Sequence, residues 1–177
     1  CLFGEHMDWC GHSVIPAAID ARIYVEAYPL QGHIAEVRSF KPFQEHATFD
    51  LRNIRTDPSS DLRYVGAVFK AMLIEKTLIS ESALALRLLR REDVEKNRSR
   101  KELSKSLSDL PVRRGLSSSA ALCVAVAAAS HLATVVSPSK QLTSARHRRS
   151  LERTINKNLP SYANLAYVGE RKILGVN

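Results

Sequence analysis

Apolar positions in the first third of the chain recur with short spacing. Ser13 to Ala27 is rich in Ile, Val and Tyr around Pro16 and predicts a long extended segment. Ile34 to Phe40 alternates and follows Pro29 and Gly32, which predicts a hairpin partner for that segment. Thr48 to Asn53 predicts a further short strand. The period then changes. Ser59-Ser60-Asp61 stand before apolar Leu62, Val65, Val68, Phe69, Met72 and Leu73, the spacing of a capped amphipathic helix. Residues 80 to about 89 predict a short helix, followed by a charged loop or helix. Ser118 to Val136 carries no charge and predicts a buried helix of small residues. Ser137 to Pro160 reads as a polar, basic segment bracketed by Pro138 and Pro160. Tyr162 to Val168 predicts a helix and Lys172 to Val176 a closing strand. Strands and helices mixed in this order give an α+β class, and no internal repeat is present.

Composition changes that picture little. The 177 residues, 45% hydrophobic, suit one domain with a real core. The Ala-rich helix comes nearest to a membrane span, but reads as too short and too weakly hydrophobic, and no signal peptide is read. Three cysteines, Cys1, Cys10 and Cys123, are scattered and odd in number, which points away from a disulfide framework and toward a reducing, cytoplasmic setting. The net charge of +8 is concentrated in residues 87–105 and 140–158. Neither window holds an aromatic residue, so a solvated helix face is preferred to a nucleic-acid surface.

Two segments carry candidate chemistry. In Pro111-Val112-Arg113-Arg114-Gly115-Leu116-Ser117-Ser118-Ser119-Ala120-Ala121, a glycine and three hydroxyls precede the Ala-rich helix. A helix start presents unpaired N–H groups and partial positive charge, so the run suits a phosphate chain. Plain N-capping by serine explains the same residues. In Gly4-Glu5-His6-Met7-Asp8-Trp9, three polar groups crowd into four positions. Such groups can hydrogen-bond a polyol. A metal cluster would need a second His or a Cys pair to close it, and a polar turn is the plain alternative.

In this order the two segments resemble the galactokinase branch of the GHMP small-molecule kinases. Gly4 to Trp9 is similar to the sugar-binding signature GEHTDY, and Pro111 to Ala121 to the phosphate loop P-x-x-x-G-L-S-S-S-A. Gly169-Glu170-Arg171-Lys172-Ile173-Leu174-Gly175-Val176-Asn177 is similar to the segment preceding C-G-x-M-D-Q. The resemblance implies the family's N-terminal domain, a mixed sheet with helices on one face like the second domain of ribosomal protein S5, with a strand over Leu107 to Val112 leading to the phosphate loop. It implies that residues 1–177 are most of that domain, incomplete at both ends and without the C-terminal domain. The family's catalytic Arg is expected before Cys1 and its catalytic Asp after Asn177, so no catalytic residue is expected within the chain, and the chain is not expected to be active alone.

The resemblance further implies ATP-dependent phosphorylation of a monosaccharide at its anomeric hydroxyl. Glu5, His6 and Asp8 would bind the sugar. Pro111, Arg113, Gly115, Leu116, Ser117, Ser118, Ser119, Ala120 and Ala121 would bind ATP. Ser119 and Glu170 would hold Mg²⁺. Met7 stands for the usual Thr, Trp9 for the usual Tyr, and Cys10-Gly11-His12 for a short polar turn, so a uronic acid or a pentose is open beside galactose. His12, His33, His46, His131 and His147 read as surface or satisfied histidines. A monomer without membrane attachment is expected. The other readings are a non-catalytic sugar- and ATP-sensing member of the same superfamily, and a nucleic-acid binder acting through 87–105 and 140–158.

Overall fold

The computed structural model describes residues 12, 13, 15, 22–39, 45–57, 59–89, 118–135 and 145–175. Its strands are β1 (Tyr24–Pro29), β2 (Gly32–Ser39), β3 (His46–Asp50) and β4 (Ser82–Leu89). Its helices are α1 (Arg63–Ile74), α2 (Ser118–Val135) and α3 (Ala145–Tyr167), and α3 runs directly into a π-helical segment, Val168–Ile173. The strand order is β1-β4-β2-β3. β4 pairs antiparallel with β1 and parallel with β2, and β3 pairs antiparallel with β2. The sheet is therefore mixed, and the class is α+β as expected.

Side-chain alternation sorts the sheet into two faces. The register puts Val25 opposite Leu88 and Ala27 opposite Leu86. It also aligns Ala35 with Leu84 and Phe49, and Val37 with Leu86 and Ala47. These apolar positions form the sheet's share of a single core cluster. The reverse face carries Glu26, Glu36, Arg38, Arg87, His46 and Asp50. There Arg87 lies 3.6 Å from Glu26, its cross-strand partner, and Tyr28 donates to Glu26 at 3.0 Å. Among the described residues the helices cover one face only.

α1 buries Val65, Val68, Phe69 and Met72 on that apolar face. Each such side chain contributes about 1.5–3 kcal/mol when fully buried. The helix lies close because Gly66 faces β3: a Cβ there would sit 2.6 Å from the Phe49 ring. Phe49 in turn meets Phe69 edge-on at 5.8 Å. The serine run stands before α1 but does not cap it as expected: Leu62 takes the cap position and makes no side-chain hydrogen bond to the helix. The Ser60 hydroxyl oxygen accepts from Leu62 N–H at 3.0 Å, and the Ser60 carbonyl accepts from Arg63 N–H at 3.2 Å. At the other end Lys76 takes a left-handed conformation (φ 55), and Thr77 N–H reaches back to the Met72 carbonyl at 2.9 Å. This is a Schellman closure with lysine where glycine is usual.

Five further expectations change. β1 and β2 are not a hairpin, because β4 lies between them; the Pro29–Gly32 turn carries the chain out of one strand position and two places across the sheet. Of the long extended segment, β1 begins only at Tyr24, with isolated bridge residues at Ile15 and Arg22. Residues 82–89 are strand, not helix: Leu84, Leu86 and Leu88 alternate inward, and pairing on both sides overrides the helix preference of Leu and Ala. The expected polar segment up to Pro160 is helical from Ala145. Pro160 is tolerated inside α3 because it stands exposed, leaving the Asn156 carbonyl to water. The closing strand is instead the π-helical segment, closed by Leu174 N–H donating to the Gly169 carbonyl at 3.1 Å. The strand expected over Leu107 to Val112 lies outside the described residues.

Candidate active site

α2 buries Cys123, Val126, Ala127 and Ser130, the i, i+3, i+4, i+7 stripe of one helix face. Its other residues up to Ala133 are half-buried, so the expected buried helix is buried along one stripe. By length and composition alone α2 could cross a membrane, contrary to the sequence reading. Its stripe nonetheless belongs to the same core as Leu84 and Phe69.

Ser118, Ser119, Ala120 and Ala121 form the first turn of α2 and are all half-buried. Ser119 stands one turn before Cys123, on the same side of the helix. Cys123 is fully buried. Burial pushes its thiol well above the ordinary value of 9.0, and the Glu170 carboxylate pushes it in the same direction. Glu170 is thus near enough to Cys123 for its charge to act on the thiol, and the segment that carries it packs against α2.

The π-helical segment that carries Glu170 is held from the opposite side by α1. Val168 and Gly169 are buried. A Cβ on Gly169 would lie 3.4 Å from the backbone of Ala67 and Val68, so the segment rests directly on the α1 backbone. From α3, Tyr162, Leu165 and Ala166 enter the core. The Tyr162 hydroxyl lies 2.8 Å from Nδ1 of His131 on α2. His131 is thus a satisfied histidine. From the sequence, Cys123, Gly169 and Tyr162 had no part in a site; their burial becomes visible only in the fold.

Glu5, His6, Asp8, Pro111, Arg113, Gly115, Leu116 and Ser117 lie outside the described residues. Among the described residues no cluster of three or more His, Cys, Asp or Glu is placed to hold a metal. Arg149, Arg153 and Lys157 stand exposed at four-residue spacing on α3, a solvated helix face.

Comparison with known proteins bears on the family of the chain. A family model, the galactokinase galactose-binding signature, matches residues 1–29. The galactokinase of Chloroflexus aurantiacus is 33% identical over 126 residues, which are 71% of this chain and 27% of that protein. The chain is galactokinase-like. The galactokinase of Chloroflexus aggregans gives the same identity and coverage. This galactokinase-like chain spans about a quarter of the length of those relatives (27%). Among solved structures, mevalonate kinase of Methanococcus jannaschii overlaps 86% of the chain and 37% of its own, with a TM-score of 0.48 and 16% identity. Another mevalonate kinase gives 0.49 and 15%. At those scores the overlaps add nothing to the sequence relationship.

Proposed function

We propose that this chain supplies the sugar- and nucleotide-binding part of a kinase that transfers the γ-phosphoryl group of ATP to the anomeric hydroxyl of a monosaccharide. The observation that carries the reading is that Ser118 and Ser119, at the end of the G-L-S-S-S-A-A run, form the start of α2, a helix against which the Glu170 segment packs. A hydroxyl and a carboxylate at a helix start suit Mg²⁺, which takes hard oxygen donors and few protein ligands. The donor set fits in a second way: Cys123, the one soft group beside it, is kept neutral and offers no thiolate. Bound there, Mg²⁺ would supply charge neutralisation of the phosphate oxygens.

The chain's own residues then divide the work. Backbone N–H groups at the start of α2, with Gly115 to Ser117 ahead of it, would hold the phosphates. Ser119 and Glu170 would fix the metal from two elements. Glu5 and Asp8 would accept hydrogen bonds from sugar hydroxyls, with His6 beside them, and leave the anomeric oxygen toward the γ-phosphate. Such positioning is the main part of phosphoryl-transfer catalysis. Free Cys123 suits the reducing cytoplasm in which we place the protein.

The test is to express the complete reading frame and assay galactose, galacturonate, glucuronate and arabinose with Mg·ATP. Phosphorylation of one of them, lost in Asp8→Asn while ATP affinity holds, is the expected result. No phosphorylation of any sugar, or equal loss of ATP affinity in Asp8→Asn, would remove the sugar from the Glu5–Asp8 segment.

A further inference from the structure

The cations of α3 are placed where they oppose the helix that carries them. Arg146, Arg148 and Arg149 stand at its start, the end of a helix that bears partial positive charge and favours acids. No acidic residue stands in the first turn, and no basic residue in the last turn, where one would be favoured. Arg149 with Arg153, and Arg153 with Lys157, are like-charge pairs at four-residue spacing, which also work against a helix. Glu152 is the only acid in 145–167. A local rule broken this consistently marks a place where the side chains serve something other than the fold.

Arg149, Arg153 and Lys157 are all exposed. At 3.6 residues per turn each step of four advances about 40° around the helix and about 6 Å along it, so the three form one stripe about 12 Å long. The buried Tyr162, Leu165 and Ala166 and the half-buried Leu151 and Ile155 lie on the opposite side, against the core. Elsewhere the chain neutralises its exposed arginines. On the open face of the sheet Arg87 meets Glu26 at 3.6 Å and Arg38 meets Glu36 at 4.0 Å. Among the described residues no such ion pair reaches Arg149, Arg153 or Lys157.

We propose that the Arg149–Arg153–Lys157 stripe is a docking face for an acidic segment of a partner protein. A helix with acids at four-residue spacing, or an extended segment with acids at alternate positions, sets its carboxylates about 6–7 Å apart and so matches the three cations. Charge complementarity of that kind fixes register and speeds encounter. The same carboxylates offset the positive end of α3 and the repulsion along the stripe. A nucleic-acid strand is the poorer match, because 145–158 holds no aromatic residue on which a base could stack.

The experiment measures fluorescence anisotropy of a labelled oligoglutamate at physiological ionic strength, on the protein from its complete reading frame. A single-stranded oligonucleotide of equal charge is run beside it. Wild type should bind oligoglutamate, more weakly as salt rises. Arg149→Gln, Arg153→Gln and Lys157→Gln should each weaken binding about twofold to fourfold, and the three together about tenfold. Glutamine keeps the helix propensity of the residues it replaces. The triple variant should also melt higher than wild type, since the opposed charges are gone. Weaker binding by a more stable protein cannot come from damage to the fold. Lys70→Gln, which removes an exposed cation of α1, should change nothing. No binding of oligoglutamate, unchanged affinity in the triple variant, or an equal loss in Lys70→Gln would overturn the proposal. Tighter binding of the oligonucleotide than of oligoglutamate would overturn it too, and give the stripe to a nucleic-acid backbone.

Discussion

The buried thiol of Cys123 feels the carboxylate of Glu170: burial first, and then that charge, push its pKa upward. The consequence for stability has a definite sign. A group whose pKa is raised by folding favours the native state fully below its unfolded value, and that support is lost as pH climbs beyond it. Cys123 is therefore silent up to its ordinary value of 9.0. Above it the unfolded thiol ionises while the native one does not, and stability falls by up to about 1.4 kcal/mol for each pH unit. Tyr162, raised from 10.0 by burial, adds a loss of the same sign at higher pH. Urea unfolding between pH 8 and 11 should show the decline, and Cys123→Ala should flatten its first part. An unchanged profile in that variant would place the decline elsewhere.

Gly66→Ala should destabilise the protein, although alanine is the better helix former. The added Cβ would stand 2.6 Å from Phe49 and 2.9 Å from Thr56. Overpacking of that kind costs about 1–3 kcal/mol, against about 1 kcal/mol gained in helix propensity. A lowered urea midpoint is expected, partly restored when Phe49→Leu removes the ring. Equal or higher stability in Gly66→Ala alone would mean that α1 can lift from β3 at no cost.

Lys76→Gly should stabilise. Lys76 holds φ 55, a conformation that costs an L-residue about 1–2 kcal/mol and glycine almost nothing. The greater chain entropy of glycine in the unfolded state offsets part of this, leaving a gain of about 0.5–1 kcal/mol. Thermal unfolding reads it directly. A lower midpoint would show that the lysine side chain contributes more than its backbone strain costs.

The parts of the fold legible in the sequence were those with strong contrast between apolar and polar positions. The i, i+3, i+4 run from Leu62 to Leu73 located α1, and alternation from Ile34 located β2. β4 alternates just as clearly at Leu84, Leu86 and Leu88, but its Leu and Ala favour helix in isolation, and only pairing with β1 and β2 decides the matter. Strand order was not legible at all: β1 and β2 are joined by a turn that looks like a hairpin, and nothing local reports that β4 comes between them. α2 hid its buried stripe because nearly every position is small and apolar. Ser119 and Glu170 were legible only through resemblance. How near they stand to one another depends on how α3 lies on α2, which is a property of tertiary packing.

Ser130→Ala should be neutral or stabilising. Its hydroxyl is fully buried without a partner among the described residues. Leaving such a group unsatisfied costs about 1–3 kcal/mol, while alanine removes it and improves helix propensity. A gain of about 1 kcal/mol in unfolding free energy is expected from the first of these effects alone. A clear loss would reveal a hydrogen bond or a bound water at Ser130.

Glu170→Gln offers a check on the site that needs no substrate. Glutamine keeps the shape of the side chain and removes the charge that helps to hold Cys123 protonated. The thiol pKa should therefore fall in this variant, yet stay above 9.0, because burial is the larger of the two causes. Thiolate absorbance followed against pH, compared with Cys123→Ala to subtract Cys1 and Cys10, gives the shift. Ser119→Ala, which alters no charge, should leave the thiol where it is. If Mg·ATP occupies the face between Ser119 and Glu170, its cation should move the Cys123 titration in the wild-type protein in the same direction as Glu170→Gln. That shift should vanish once Glu170 is neutral, since the metal loses its carboxylate. A thiol that titrates identically in wild type and Glu170→Gln would separate Glu170 from α2, and would remove the structural basis for pairing it with Ser119.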